Sequence, residues 1–196
     1  KQMKRLPINE AQYRKLVGVP KLFGEVGYTH HEQRSARPTL EINGLTSGYQ
    51  GEGSKTIVPA WASAKITCRL VPNQDPRQIN RLLRKQLKKL CPPTVKLEIE
   101  DGHGAEAYHV PPTGPMAQAA LEALSEAFGY KPVLLREGGS IPIINEFKKV
   151  LGADSLLLGL ALPDDNLHSP NEKFDLECFH NGAEMSARLW PKLAAL

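Results

Sequence analysis

The chemistry-bearing side chains of this sequence sit in four short stretches. The first is "LPDDNLHSPNEKF" (162–174), where an aliphatic run ends, two aspartates follow, and His168 stands in a loop rich in Pro and Asn. An imidazole in that setting is either a metal ligand or an ordinary loop histidine. A neighbouring aspartate could orient its ring, the usual partnership behind a metal-bound histidine. The second stretch is "REGGSIP" (136–142), in which Arg136 ends an apolar run, two glycines follow, and Ser140 precedes a helical pattern. Glycines let backbone approach a ligand, and the free N–H groups of a helix start favour an anion such as a carboxylate or phosphate. A plain tight turn with a serine cap has the same sequence. No G-K-[ST] follows, so the stretch is not a P-loop.

The third stretch, "GSKTIVPAWASAKITCRLVPN", places Thr56 in a glycine-rich loop and Arg69 on the polar side of an alternating run. An arginine beside lysine on such a side is ordinarily solvated. The fourth, "DGHGAE" (101–106), holds His103 between glycines, as in a hairpin or a binding loop. His30, His31, His109 and His180 have no supporting neighbours. The three cysteines, Cys68, Cys91 and Cys178, are odd in number and far apart. They form neither a disulfide framework nor a C-x-x-C zinc pattern, and a reducing cytoplasm fits them best.

These stretches need elements to hold them. "NEAQYRKLVG" predicts a short helix stopped by Gly18 and Pro20. "TLEINGL" alternates, with Leu40 and Ile42 on one side. "ASAKITCRLV" alternates more cleanly: Ala64, Ile66, Cys68 and Leu70 face one way, Lys65, Thr67 and Arg69 the other, as in a half-buried strand. Asp75 is the N-cap and Pro76 the first residue of a helix that Pro92 and Pro93 end, with Ile79, Leu82, Leu83, Leu87 and Leu90 as its apolar stripe. "TVKLEIE" reads as a further strand, giving an antiparallel sheet covered on one face. "HVPPTGP" (109–115) reads as a linker. Beyond it "MAQAALEALSEAFG", "SIPIINEFKKVLG" and "DLECFHNGAEMSARLW" predict helices, the second capped by Ser140 and stopped by Gly152. Between them, "PVLLR" and "SLLLGLAL" predict buried strands, so this half resembles part of an α/β layered domain.

Composition sets limits. The 196 residues carry 41% apolar and 23% charged side chains and a net charge of +4, an ordinary globular balance with room for one large or two small domains. Much of the positive charge lies in "RLLRKQLKKL" (81–90). No aromatic residue interleaves with it to stack bases, so it reads as the solvated face of an amphipathic helix and no nucleic acid is expected. No apolar run reaches the roughly 20 residues a membrane span needs. The N-terminus has no signal-peptide core and no starting methionine, and the chain is expected to begin within a longer protein.

In order, "GEGSKTIVPAWASAKITCRLVPNQDP", "GHG", "REGGSIPI" and "LPDDNLHSPNEKF" resemble one family from about residue 36 to the C-terminus. It is the zinc-dependent peptidase family of carnosinases, aminoacylase, succinyl-diaminopimelate desuccinylase and carboxypeptidase G, and the carnosinase-type dipeptidases in particular. The resemblance implies part of a ferredoxin-like α+β lid that makes a homodimer (residues 1–111, lacking its first strand and helix). After it would come the C-terminal part of a two-metal α/β catalytic domain (112–196). It implies that His168 binds one zinc, with manganese or cobalt as alternatives. Gly139 and Ser140 would hold substrate by a carboxylate or carbonyl. Thr56 and Arg69 would reach substrate from the lid, at least one of them across the dimer, with His103 as a further candidate.

The sequence departs from the family pattern in a way that bears on activity. The H-x-D motif, the bridging aspartate, the Glu-Glu pair with its general base, a further carboxylate ligand and the lid's H-S-G histidine are all absent. A catalytic zinc takes about three protein ligands, and amide hydrolysis needs a polarised carbonyl and an activated water. The expected function is therefore hydrolysis of dipeptides or short peptides by a larger protein, with this chain inactive alone. A non-catalytic dimerisation or binding module, or an acyl-amino-acid or succinyl-amide hydrolase, are the alternatives.

Overall fold

Capping chemistry decides where the helices begin. In this computed structural model, which describes residues 9–137 and 141–196, helix α1 (Glu10–Val17) starts at Asn9. The Asn9 side chain accepts the Gln12 N–H, while the Gln12 side chain accepts the Asn9 N–H. Gly18, at φ 72°, ends it. Helix α2 (His30–Ser35) repeats the device with Thr29 and Glu32. Two orphan backbone donors are satisfied at each start.

The chain divides into two compact units. One comprises Gly27–Tyr108 with Glu137–Pro142. Its sheet is an antiparallel pair, β1 (Thr39–Ser47) and β2 (Ala62–Arg69). Leu40 pairs with Cys68 and Ile42 with Ile66. A bulge at Asn43 then shifts the register by one residue, so that Gly44 meets Lys65 and Leu45 meets Ala64. Ile66, Cys68 and Leu70 are half-buried while Lys65, Thr67 and Arg69 are exposed, as the alternation predicts; Ala64, expected on the covered side, is exposed. Gly44 lies opposite Lys65, whose methylenes occupy the space a Cβ would take. Helix α3 (Pro76–Leu90) follows, with Asp75 accepting the Arg77 N–H and Pro76 in the first position. Ile79, Leu83 and Leu87 of its apolar stripe are half-buried; Leu82 and Leu90 are exposed.

The other unit comprises Lys1–Val26, His109–Arg136 and Ile143–Leu196. Its centre is the packing of α4 (Pro115–Phe128) on α6 (Leu176–Ala194). Ala117, Ala119, Ala120 and Ala123 are buried on α4, and Gly182 and Met185 on α6. Small residues let two helix backbones approach closely. At the rim, Lys192 bonds Glu126 at 2.9 Å and Glu122 at 3.4 Å, and Arg188 bonds Glu126 at 3.4 Å. Helix α5 (Ile143–Leu151) buries Ile144 and ends at Gly152, φ 67°.

Three expected strands are not found. Residues 94–100, 132–136 and 155–162 run without a ladder partner among the described residues, where the only sheet is β1–β2. A strand exists only where a second strand takes its backbone bonds. Val133, Leu135 and Leu157 are 51%, 57% and 59% exposed rather than sandwiched between helices.

Candidate metal-ligand loop and substrate-contact residues

The His168 loop is held by several short backbone and side-chain bonds. It leaves the apolar segment at Leu162 and returns at Lys173. Two turns build it: the Asp165 N–H donates to the Leu162 carbonyl at 3.2 Å, and the Ser169 N–H to the Asn166 carbonyl at 2.9 Å. His168 is the third residue of the second turn, at φ 62°, where a turn with positive φ normally takes Gly or Asn. Asn166 (φ 54°) and Asn171 (φ 59°) are also left-handed. Asparagine tolerates that region; a histidine there costs about 1–2 kcal/mol. The His168 N–H donates to Glu172 Oε2 at 3.3 Å, and the His168 side chain is exposed.

Asp165 lies beneath this loop at 1% exposure, the most buried charged side chain described. Its Oδ2 accepts the Leu162 N–H at 2.7 Å and its Oδ1 accepts Lys173 Nζ at 2.9 Å, while its carbonyl accepts the Lys173 N–H at 3.0 Å. The lysine bond, then the backbone bond, hold the Asp165 carboxyl below the ordinary carboxylate range, and the same partner raises Lys173. Asp164 also pairs with Lys173, at 3.3 Å. Asp165 thus serves both Lys173 and the loop backbone, and Asp164 pairs with Lys173. The sequence allows a nearby aspartate to orient the imidazole; the acid bonded to His168 is Glu172, through the His168 backbone N–H. Asp165 was legible as a loop aspartate only, because its burial depends on the chain folding back eight residues later.

The lid candidates fall in the unit of Gly27–Tyr108. Thr56 lies in the exposed, irregular stretch between β1 and β2. Upstream of it the loop folds about Tyr49: Gly48 and Gly53 take φ 67° and 79°, and a Cβ at Gly51 would strike the Tyr49 phenol. Arg69 is the last residue of β2, paired with Thr39 and exposed on the polar side. His103 is exposed in a segment tied to α3. Arg84 Nη1 bonds Asp101 Oδ1 at 2.7 Å and the Ile99 carbonyl at 3.4 Å, and a Cβ at Gly104 would come 3.2 Å from Pro76 Cβ. Asn80 and then Arg84 lower the Asp101 pKa. The basic side of α3 is thus partly spent on holding the His103 segment. Gly139 and Ser140 lie outside the described residues.

The described residues do not by themselves fit a metal ion: no three His, Cys, Asp or Glu side chains come together to hold one. A zinc site needs about three or four such ligands, and His168 supplies one. The three cysteines are unpaired, and burial raises the Cys68 and Cys178 thiols. No helix among the described residues is long and apolar enough to cross a membrane.

Residues 4–95 match the model of the peptidase dimerisation domain, so the chain carries the dimerisation domain of the M20 peptidases. Among its relatives, the Cys-Gly metallodipeptidase DUG1 of Candida albicans is 34% identical over 151 residues, 75% of this chain and 31% of that protein. The rat Beta-Ala-His dipeptidase is 26% identical over 162 residues, 81% of this chain and 33% of the relative. Among solved structures, the di-peptidase Dug1p of Saccharomyces cerevisiae superposes with a TM-score of 0.85 at 27% identity, over 98% of this chain and 41% of the other. The metallo-carboxypeptidase Sso-CP2 of Sulfolobus solfataricus gives 0.82 at 28% identity, over 100% and 44%. The chain therefore spans about a third of the length of the curated relatives it matches.

Proposed function

We propose that this chain is the lid and the closing part of the catalytic domain of a metal-dependent dipeptidase, which hydrolyses the amide bond of dipeptides or short peptides. One observation carries the reading: 34% identity to a Cys-Gly metallodipeptidase runs over 75% of the chain. In this reading residues up to about 111 form the dimerising lid and 112–196 belong to the catalytic domain. His168 contributes one ligand to a two-metal site whose remaining ligands are not among the described residues, with zinc as the expected metal and manganese or cobalt as alternatives. Thr56, Arg69 and His103 contact substrate from the lid, and Gly139 and Ser140 hold its carboxylate or carbonyl. The exposed apolar side chains of Val133, Leu135 and Leu157 would pack against further strands of that domain. The protein works as a cytoplasmic homodimer, a setting that agrees with its unpaired cysteines.

The reading is tested with a Cys-Gly dipeptide and added zinc. The 196-residue chain alone gives no turnover, while a product extended upstream through an H-x-D and a Glu-Glu motif hydrolyses the dipeptide. Turnover by the chain alone, or an extended product that binds metal and cleaves no dipeptide or acyl-amino acid, overturns it. A second reading, a dimerisation module with no chemistry of its own, draws on the match of the dimerisation domain to residues 4–95. A reading frame that starts at Lys1 would favour it.

A further inference from the structure

We propose that Asp165 is the positioning residue of the His168 loop, tying its two ends together so that the imidazole is presented from a preset backbone. The proposal deepens the metallopeptidase reading and rests on it for the use of the loop. It stands on three bonds to one buried residue. The carboxylate takes the Leu162 N–H at 2.7 Å on the incoming side and Lys173 Nζ at 2.9 Å on the outgoing side. The carbonyl takes the Lys173 N–H at 3.0 Å. Leu162 and Lys173 are the points where the loop leaves and rejoins the body of its unit, so one side chain closes the loop.

The closure has something to hold. His168 sits at φ 62° with no glycine to ease it, between two left-handed asparagines. A strained residue persists only where its surroundings over-determine it. The bond His168 itself makes, its N–H to Glu172, is long at 3.3 Å, and the 2.9 Å Ser169–Asn166 bond closes only the four residues of the turn without fixing where that turn sits. The Asp165 ties are shorter, and Asp165 is 1% exposed, so water competes little for them. Fixing a ligand's backbone before it binds removes an ordering cost that a free loop would bear on binding.

Amide hydrogen exchange and histidine NMR on the 196-residue chain test this. In Asp165→Ala, the Leu162 and Lys173 amides lose about tenfold or more of their protection while Ala120 on α4 and Met185 on α6 keep theirs. The His168 ring resonances and its HN–Hα coupling move toward averaged values. Lys173→Met leaves the Leu162 amide protected, since its acceptor remains. Unchanged His168 resonances and unchanged loop protection in Asp165→Ala overturn the proposal. If that variant does not fold, Asp165→Asn decides: it keeps an oxygen for Leu162 and loses the charge facing Lys173. It is expected to fold, keep Leu162 protected and shift His168; a folded Asp165→Asn with unshifted His168 is the contrary result. His168→Ala separates this proposal from the broader reading. It leaves the Asp165 bonds in place, so the loop amides stay protected whatever the imidazole binds.

Discussion

Gly182 of α6 and Leu160 of the segment leading into the His168 loop occupy each other's space: a Cβ on Gly182 would strike Leu160 Cδ1. The glycine is buried in the middle of a 19-residue helix, where it costs helix stability. Its place is explained by the aliphatic side chain that lies on it.

Gly182→Ala weighs two terms. Alanine gains about 1 kcal/mol of helix propensity, and overpacking costs about 1–3 kcal/mol. The clash wins, and denaturant unfolding is expected to show a net loss of about 1 kcal/mol. In a Leu160→Ala background the sign reverses, and the alanine stabilises by about 1 kcal/mol. Equal effects in both backgrounds would mean that the two residues do not meet.

His168→Gly should raise stability or leave it level, because relief of the left-handed strain, about 1–2 kcal/mol, exceeds the entropy glycine adds to the unfolded chain, about 0.4–1 kcal/mol. His168→Val, β-branched at φ 62°, should lower it. Thermal melts of both variants check the pair. A histidine that destabilises its own turn is one retained for its imidazole, so a clear loss on glycine substitution counts against that view.

The α4–α6 rim gives a pH dependence of known sign. Lys192, foremost, and Arg188 lower the Glu126 pKa, so its contribution is full above the ordinary glutamate value and is lost as pH falls through the lowered one. Lys192 is raised, mainly by Glu126, so its share is full below the ordinary lysine value and is lost as pH rises through the raised one. The rim is therefore complete from about pH 5 to pH 10. Protection of α6 amides should be flat across that window and fall outside it. Glu126→Gln should remove most of the acid-side fall.

Asp75→Ala removes the side-chain acceptor of the Arg77 N–H at the start of α3. Urea titration should show a loss of about 1 kcal/mol, with Asp75→Ser recovering most of it. An unchanged midpoint would mean that Pro76 alone sets the helix start.

Arg69 stands at the end of β2, paired with Thr39. On the proposed dipeptidase reading, Arg69→Ala in the longer protein should raise KM and lower kcat for dipeptides, by about tenfold each, with the melting temperature within about 2 °C of wild type. Unaltered kinetics would take Arg69 out of the substrate site.

Local rules carried much of this molecule. The Asp75 cap, the Pro76 start, the stops at Gly18 and Gly152, and the alternation of β2 from Lys65 onward each depend on residues within a few positions, and all are found. The strands expected at 94–100, 132–136 and 155–162 depend on partners elsewhere, and hydrophobic pattern cannot supply a partner.

The candidate site divides the same way. Residue types and order were enough to place His168 in a loop after an apolar run and to carry the resemblance to a family of metallopeptidases. Chain folding alone decided that Asp165 is buried, that Lys173 returns to meet it, and that His168 takes a left-handed backbone. A side chain's burial and a loop's closure are set by what comes back to cover them, and that information is not local to any stretch of sequence.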